Sequence, residues 1–309
     1  MFFGFNVKII GPKENKFIPD DFPGFLDGIC SNGNQMALYS ADKKSIFLIN
    51  IDKLDWNRLK LAASENQKVQ FRNILWIEEN TKLLAILKNM ILIYNIELGE
   101  VIAKNGIESE NNSYIDAAVH DGLIYVLHSQ NTIRIYDTNL ERVQDVEIDY
   151  EPSAICTFGN IFAIGCQNGK VLIFEKGETF EKTNEFRATA SPIENIQMIE
   201  DKIFISSKSD NILWNNKFVP QFSVKTISQI IYPDPTLNFG LSLTQGKLYF
   251  HKIAKGSKSE TSIALPLNCD SLIEKPYFQW LDENTLRAFV VTPVKLFVIM
   301  FEKPKDKPQ

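Results

Sequence analysis

Apolar residues along this chain fall in short uninterrupted runs that come in pairs, each pair split by a polar turn. Met36-Ala37-Leu38-Tyr39 precedes Ile46-Phe47-Leu48-Ile49, and Leu83-Leu84-Ala85-Ile86-Leu87 precedes Ile91-Leu92-Ile93-Tyr94. The same pairing recurs from Leu123, Ile161, Ile203, Phe239 and Leu286. The first members begin at 36, 83, 123, 161, 203, 239 and 286, which are steps of 47, 40, 38, 42, 36 and 47 residues. A run with no polar interruption suits a strand covered on both faces. A repeat of about 40–45 residues is that of a four-stranded propeller blade. The pattern therefore predicts an all-β fold, a seven-bladed β-propeller spanning residues 1–302, with residues 303–309 as a disordered polar tail. The repeats are WD-like and degenerate: no Trp-Asp dipeptide closes one, and Ile135-Tyr136-Asp137 comes nearest.

Three local signals refine this picture. Phe3, Phe5, Val7 and Ile9 alternate with Gly4, Asn6 and Lys8, which predicts a half-buried strand over Phe2–Ile10. The last repeat has no outer strand of its own, so this N-terminal strand is expected to supply it and close the ring. Asn168-Gly169 reads as a two-residue type I′ hairpin, and Asp121-Gly122 also marks a turn. The apolar spacing of residues 52–61 predicts a short helical insertion.

Charge and chemistry narrow the function. A net charge of −5 and a pI of about 5.4 leave no basic footprint for nucleic acid or for an anionic membrane. No phosphate-cradling glycine loop, nucleophile elbow or metal-ligand spacing occurs, so no catalytic residue, metal or cofactor is expected and the chain is not read as an enzyme. Cys156 and Cys166 lie inside apolar runs and read as reduced core residues of an intracellular protein. His120, His128 and His251 read as surface or blade-edge residues.

Two features suit partner binding. Asp145, Glu147, Asp149 and Glu151 alternate with Val146, Ile148 and Tyr150, as on an outer strand with an acidic solvent face. Such a face either blocks edge pairing or meets a basic partner. The stretch from Ala264 to Pro276 joins the outer strand of the sixth blade to the inner strand of the seventh. Its Leu265, Leu267, Leu272 and Ile273 either cover the core below or form an apolar patch rimmed by Asp270 and Glu274.

That segment also carries a resemblance. Phe3-Gly4-Phe5 with Val7, Ile9 and Ile10, then Ile29-Cys30-Ser31-Asn32 before the Met36 run, resemble the opening strand and first blade of a known propeller. Ala264-Leu265-Pro266, followed by acidic residues and Pro276, resembles its short Leu-Pro segment, acidic loop and second proline. The family is the N-terminal propeller of the cytoplasmic-face FG nucleoporin that docks the DEAD-box helicase of mRNA export. The resemblance implies a protein-docking domain at the cytoplasmic face of the nuclear pore complex. Its partners would be a DEAD-box RNA helicase and other nucleoporins, with no direct contact to nucleic acid or membrane. It further implies that Leu265, Pro266 and Leu267 are apolar anchors and that Asp270 and Glu274 face basic helicase residues. A scaffold propeller of a vesicle coat, tethering complex or ubiquitin-ligase adaptor is the other assignment the sequence allows.

Overall fold

The computed structural model describes residues 6–10, 28–31, 35–40, 45–50, 56–60, 70–78, 81–107, 112–200, 202–224, 230–244, 247–255, 260–264, 276–291 and 296–303. Every regular element among them is a β-strand. Strand β1 is Asn6–Ile10, and the first sheet holds β2 Gly28–Ser31, β3 Gln35–Ser40, β4 Ser45–Asn50 and β5 Trp56–Lys60. The second is β6 Phe71–Ile77, β7 Lys82–Leu87, β8 Met90–Asn95 and β9 Glu100–Gly106. The third is β10 Tyr114–His120, β11 Leu123–His128, β12 Thr132–Tyr136 and β13 Arg142–Glu147. The fourth is β14 Pro152–Phe158, β15 Ile161–Cys166, β16 Lys170–Lys176 and β17 Phe180–Arg187. The fifth is β18 Ile193–Ile199, β19 Lys202–Ser207, β20 Asn211–Asn215 and β21 Pro220–Ser223. The sixth is β22 Tyr232–Pro233, β23 Phe239–Thr244, β24 Lys247–Lys252 and β25 Glu260–Ala264. The seventh is β26 Tyr277–Asp282, β27 Thr285–Val291 and β28 Leu296–Glu302, completed by β1.

The recurring apolar runs are the second and third strands of each sheet. Leu83–Leu87 and Ile91–Tyr94 are fully buried, and Leu84, Ile86, Ile91 and Ile93 pack on Tyr114, Ile124 and Val126 of the third sheet. The N-terminal strand takes the place expected of it: Val7 lies opposite Phe301 and Ile9 opposite Ile299 on β28. Phe3 and Phe5 lie outside the described residues, as do residues 304–309 of the tail.

By backbone proximity the chain divides into two compact units. One is Met1–Lys68 with Leu241–Lys252 and Ser259–Gln309, and the other is Val69–Gly240 with Ile253–Lys258. In the first, Met36, Leu38, Phe47 and Ile49 pack on Phe289, Leu296 and Val298, so the first sheet lies against the seventh. In the second, an apolar layer separates each consecutive pair of sheets. The first strands β6, β10, β14 and β18 lie against one another in turn, as when sheets splay outward from a common inner edge. The layer between the third and fourth sheets is aromatic, with the Tyr125 and Phe162 ring centroids 4.3 Å apart and Phe174 stacked on Phe180 at 4.9 Å. Such ring pairs add to the stabilisation from burial itself.

Two sequence expectations are corrected. Residues Trp56–Lys60 form no helix; they pair antiparallel with β4, setting Leu59 opposite Ile46. Pairing with a neighbouring strand outweighs the local apolar spacing, and Leu59 is buried while Asn57 and Arg58 before it are exposed. The Asn168-Gly169 hairpin is not type I′, because only Gly169 has a positive φ, +80°. It is a three-residue loop in which the Gly169 N–H donates to the Cys166 carbonyl at 3.0 Å. The true two-residue type I′ turn is Asp121-Gly122, with φ of +48° and +70°.

Candidate interaction surface

In the second to fifth sheets the first strand runs into the second, and the third into the fourth, at one end of the sheet, while connections between sheets leave from the opposite strand ends. The segment 265–275 is one such connection, bounded by β25 and β26. Leu265, Pro266, Leu267, Asp270 and Glu274 lie outside the described residues, and Pro276 at the segment's end is buried.

The acidic stripe is more divided than its alternation implies. Its strand, β13, ends at Glu147, so Ile148, Asp149, Tyr150 and Glu151 belong to the connection toward β14. Ile148 still donates its N–H to the Asn131 carbonyl at 2.8 Å, in step with the Thr132–Glu147 pairing, but its side chain enters the layer between sheets and the chain leaves the ladder beyond it. Asp145 is neutralised within its own sheet. Arg142 Nε donates to its Oδ1 at 2.7 Å, the Arg142 terminal nitrogen pairs with Oδ2, and Arg134 lies 3.5 Å away. Asp149 accepts from Lys182 at 2.8 Å, across to β17 of the next sheet. Glu147 and Glu151 are exposed and have no ion-pair partner among the described residues. Of the four stripe carboxylates, these two carry no counter-charge among the described residues.

Lys182 belongs to a network that pins the third sheet's exit to the fourth. Lys170 Nζ stands 2.5 Å from Glu185 Oε1 and 2.5 Å from the Tyr150 hydroxyl, which in turn donates to Glu185 at 3.0 Å. The Lys170 ammonium also sits 4.1 Å from the Tyr150 ring centroid. The Lys170 hydrogen bond, with further help from Lys182 and Tyr150, holds the Glu185 carboxyl down at about 2. A carboxylate whose pKa is depressed on folding stabilises above its unfolded value near 4.5, and this contribution is lost as pH falls toward 2. Glu185→Gln should therefore lower the melting temperature at pH 7 and flatten its decline between pH 4.5 and 2. Melting curves across that range check it; an unchanged acid limb would show that the network carries no linkage.

The histidines are placed against expectation. His128 on β11 and His251 on β24 lie within the inner strands of their sheets and are 0 % and 1 % exposed. His128 Nδ1 accepts from the Gln130 N–H at 3.2 Å, and Ser242 Oγ lies 2.7 Å from His251 Nε2. Burial, joined at His128 by the Arg134 guanidinium, pushes both imidazoles down to about 4, so they are neutral at physiological pH. His120 alone approaches the surface, with Nε2 3.2 Å from Asp121 and 3.3 Å from Asn160 Oδ1. Burial likewise pushes the Cys166 thiol up to about 12, which suits a core residue and not a nucleophile. Among the described residues no three metal-ligating side chains converge.

One buried group has no counterpart in the sequence reading. Asp116, on β10, accepts from Asn73 Nδ2 at 2.6 Å, from the Ala117 N–H at 2.9 Å and from the Ile155 N–H at 3.2 Å. It thereby ties the first strands of three consecutive sheets through one carboxylate. Charge-assisted bonds of this kind are the stronger ones, and each partner removed leaves a buried acceptor unmet. Nothing in the local sequence marks it, since its partners lie 43 and 39 residues away.

No family model matches the sequence, and no curated protein matches it. Solved structures do. A chain in the crystal structure of the mitotic checkpoint complex is 12 % identical with a TM-score of 0.70, covering 96 % of this chain and 95 % of that one. The Cps50 (Swd1) β-propeller domain of Myceliophteria thermophila is 10 % identical with a TM-score of 0.69, covering 91 % of this chain and 96 % of that one. At such identity the likeness is one of fold: the chain is an all-β, seven-bladed β-propeller.

Proposed function

We propose that this propeller is a protein-docking domain of the cytoplasmic face of the nuclear pore complex, where it binds a DEAD-box RNA helicase alongside other nucleoporins and supports mRNA export. The observation that carries the reading is the likeness of Ala264-Leu265-Pro266, its following acids and Pro276 to the nucleoporin's helicase-docking segment, together with the opening-strand likeness. The seven-sheet architecture and a β25-to-β26 connection of this length are consistent with it. Leu265, Pro266 and Leu267 are the apolar anchors in this reading, and Asp270 and Glu274 meet basic helicase residues. Exposed Glu147 and Glu151 add acid without an internal counter-charge. An acidic partner on a helicase competes with phosphate for the same basic surface, so RNA and propeller exclude each other. Binding, not catalysis, is the activity proposed.

The test is a pulldown with wild type beside a Leu265→Asp, Leu267→Asp double variant, both checked for identical melting. A DEAD-box helicase retained by wild type, lost by the variant and released by added RNA supports the reading. Coat, tethering or ligase subunits retained equally by both would replace it with the scaffold assignment.

A further inference from the structure

The fourth sheet ends, on its hairpin side, in a cross-strand row unlike those of its neighbours. Phe158 on β14 pairs with Ile161 on β15, Ile161 with Glu175 on β16, and Glu175 with Glu181 on β17. Directly paired residues of antiparallel strands project from the same side of a sheet. All four are exposed, Phe158 at 42 % and Ile161 at 37 %. The corresponding rows begin Ile77–Lys82 in the second sheet and Ile199–Lys202 in the fifth, where a lysine holds the place of Ile161, while in the third a half-buried Leu123 stands there, opposite His120. Ile77 is buried and Ile199 half-buried, so Phe158 is also the more open of the three leading residues.

Further into the same sheet, this side carries Ala163 and Ile173, which pack on Met198, Ile203 and Trp214 of the fifth sheet. The apolar strip thus runs past the cover its neighbour provides. Its outer half is acidic and internally repulsive. Glu175 and Glu181 lie directly opposite each other, a destabilising arrangement for like charges, and Glu178 is exposed in the turn between them. Lys176 is the nearest cation along the strand, and its ammonium is turned to the Gly177 carbonyl at 3.3 Å.

We infer that the row Phe158, Ile161, Glu175 and Glu181 is a docking site for a protein segment carrying an aliphatic or aromatic residue next to lysine or arginine. The apolar residue extends the strip over Phe158 and Ile161, and the cation relieves the repulsion of the paired glutamates. This site leaves from the hairpin ends of its strands and does not depend on segment 265–275, so it stands or falls apart from the helicase assignment.

A random peptide library displayed on phage is panned on the full chain, and enriched peptides are synthesised and titrated by fluorescence anisotropy. The inference expects sequences that join Leu, Ile or Phe to Lys or Arg. Ile161→Lys should weaken them about tenfold, the effect of losing one partly buried aliphatic contact. This variant copies Lys82 and Lys202, so an unchanged melting temperature is expected of it. Glu175→Gln with Glu181→Gln should weaken binding about threefold at low salt and leave less salt dependence. Failure to enrich any peptide, enriched peptides without basic residues, or binding indifferent to Ile161→Lys would each overturn the inference. So would a concentration-dependent dimer of the wild type that Ile161→Lys dissolves, since the occupant would then be a second copy.

Discussion

Deleting residues 1–10 is expected to lower the melting temperature of the principal unfolding transition by about 10 °C, with no separate low-temperature phase. Strand β1 pairs with β28 over five residues, Asn6 with Glu302 through Ile10 with Val298. Net backbone hydrogen bonds contribute about 1 kcal/mol each, so losing this ladder costs about 5 kcal/mol before any side-chain term. For a chain of this size 1 kcal/mol corresponds to about 2 °C. The effect is not confined to the end of the chain. β28 also pairs with β27 and carries Leu296 and Val298 into the layer against Met36 and Leu38 of the first sheet. Stripped of β1, it becomes a long open edge and an aggregation template. Differential scanning calorimetry on the truncated and intact chains checks this. An unchanged principal transition would mean that β1 is an appendage and that the seventh sheet is complete with three strands.

Which parts of this architecture were legible in the sequence follows from what each strand touches. Second and third strands are buried on both sides, so runs such as Leu83–Leu87 and Phe162–Cys166 stand out without any periodicity. Fourth strands face solvent and read as ordinary polar chain: β17 is Phe-Glu-Lys-Thr-Asn-Glu-Phe-Arg, with four consecutive exposed residues. The fourth strand of the first sheet reads as a helix in sequence because the seven-residue step from Leu54 to Leu61 and the three-residue step from Trp56 to Leu59 also fit a helical period, and only pairing with Ser45–Asn50 decides between them. The acidic stripe was half legible for a similar reason. Alternation marks which residues point outward, but not that Lys182, 33 residues from Asp149, arrives to neutralise it. The Phe158–Ile161 pair was visible as sequence yet unremarkable, since its meaning comes from the lysines at the matching positions of other sheets and from the glutamates brought beside it by the ladder.

Gly169→Ala is expected to destabilise the chain by about 4 kcal/mol, and Gly122→Ala by only about 1 kcal/mol, although both glycines have φ near +75°. The conformational part of the cost, about 1 kcal/mol or slightly more for an L residue in the left-handed region, is common to both. At Gly122 an added Cβ meets nothing within 4 Å. At Gly169 it would stand 2.2 Å from the Thr189 carbonyl oxygen and 2.9 Å from its carbon, backbone atoms that cannot swing aside as a side-chain tip can. The same glycine's carbonyl accepts both the Ala188 N–H at 2.9 Å and the Thr189 N–H at 3.1 Å. Moving Thr189 away to admit the methyl group therefore breaks two hydrogen bonds at a point where both residues are buried, each worth about 1 kcal/mol net and more if left unmet. The contact that forbids a side chain here is the one that fastens the fourth sheet's middle hairpin to the connection leading into the fifth. Urea unfolding of the two single variants separates the shared term from the steric one. Equal losses would mean that the 188–191 segment yields without cost and that the close approach at Gly169 does not hold the connection in place.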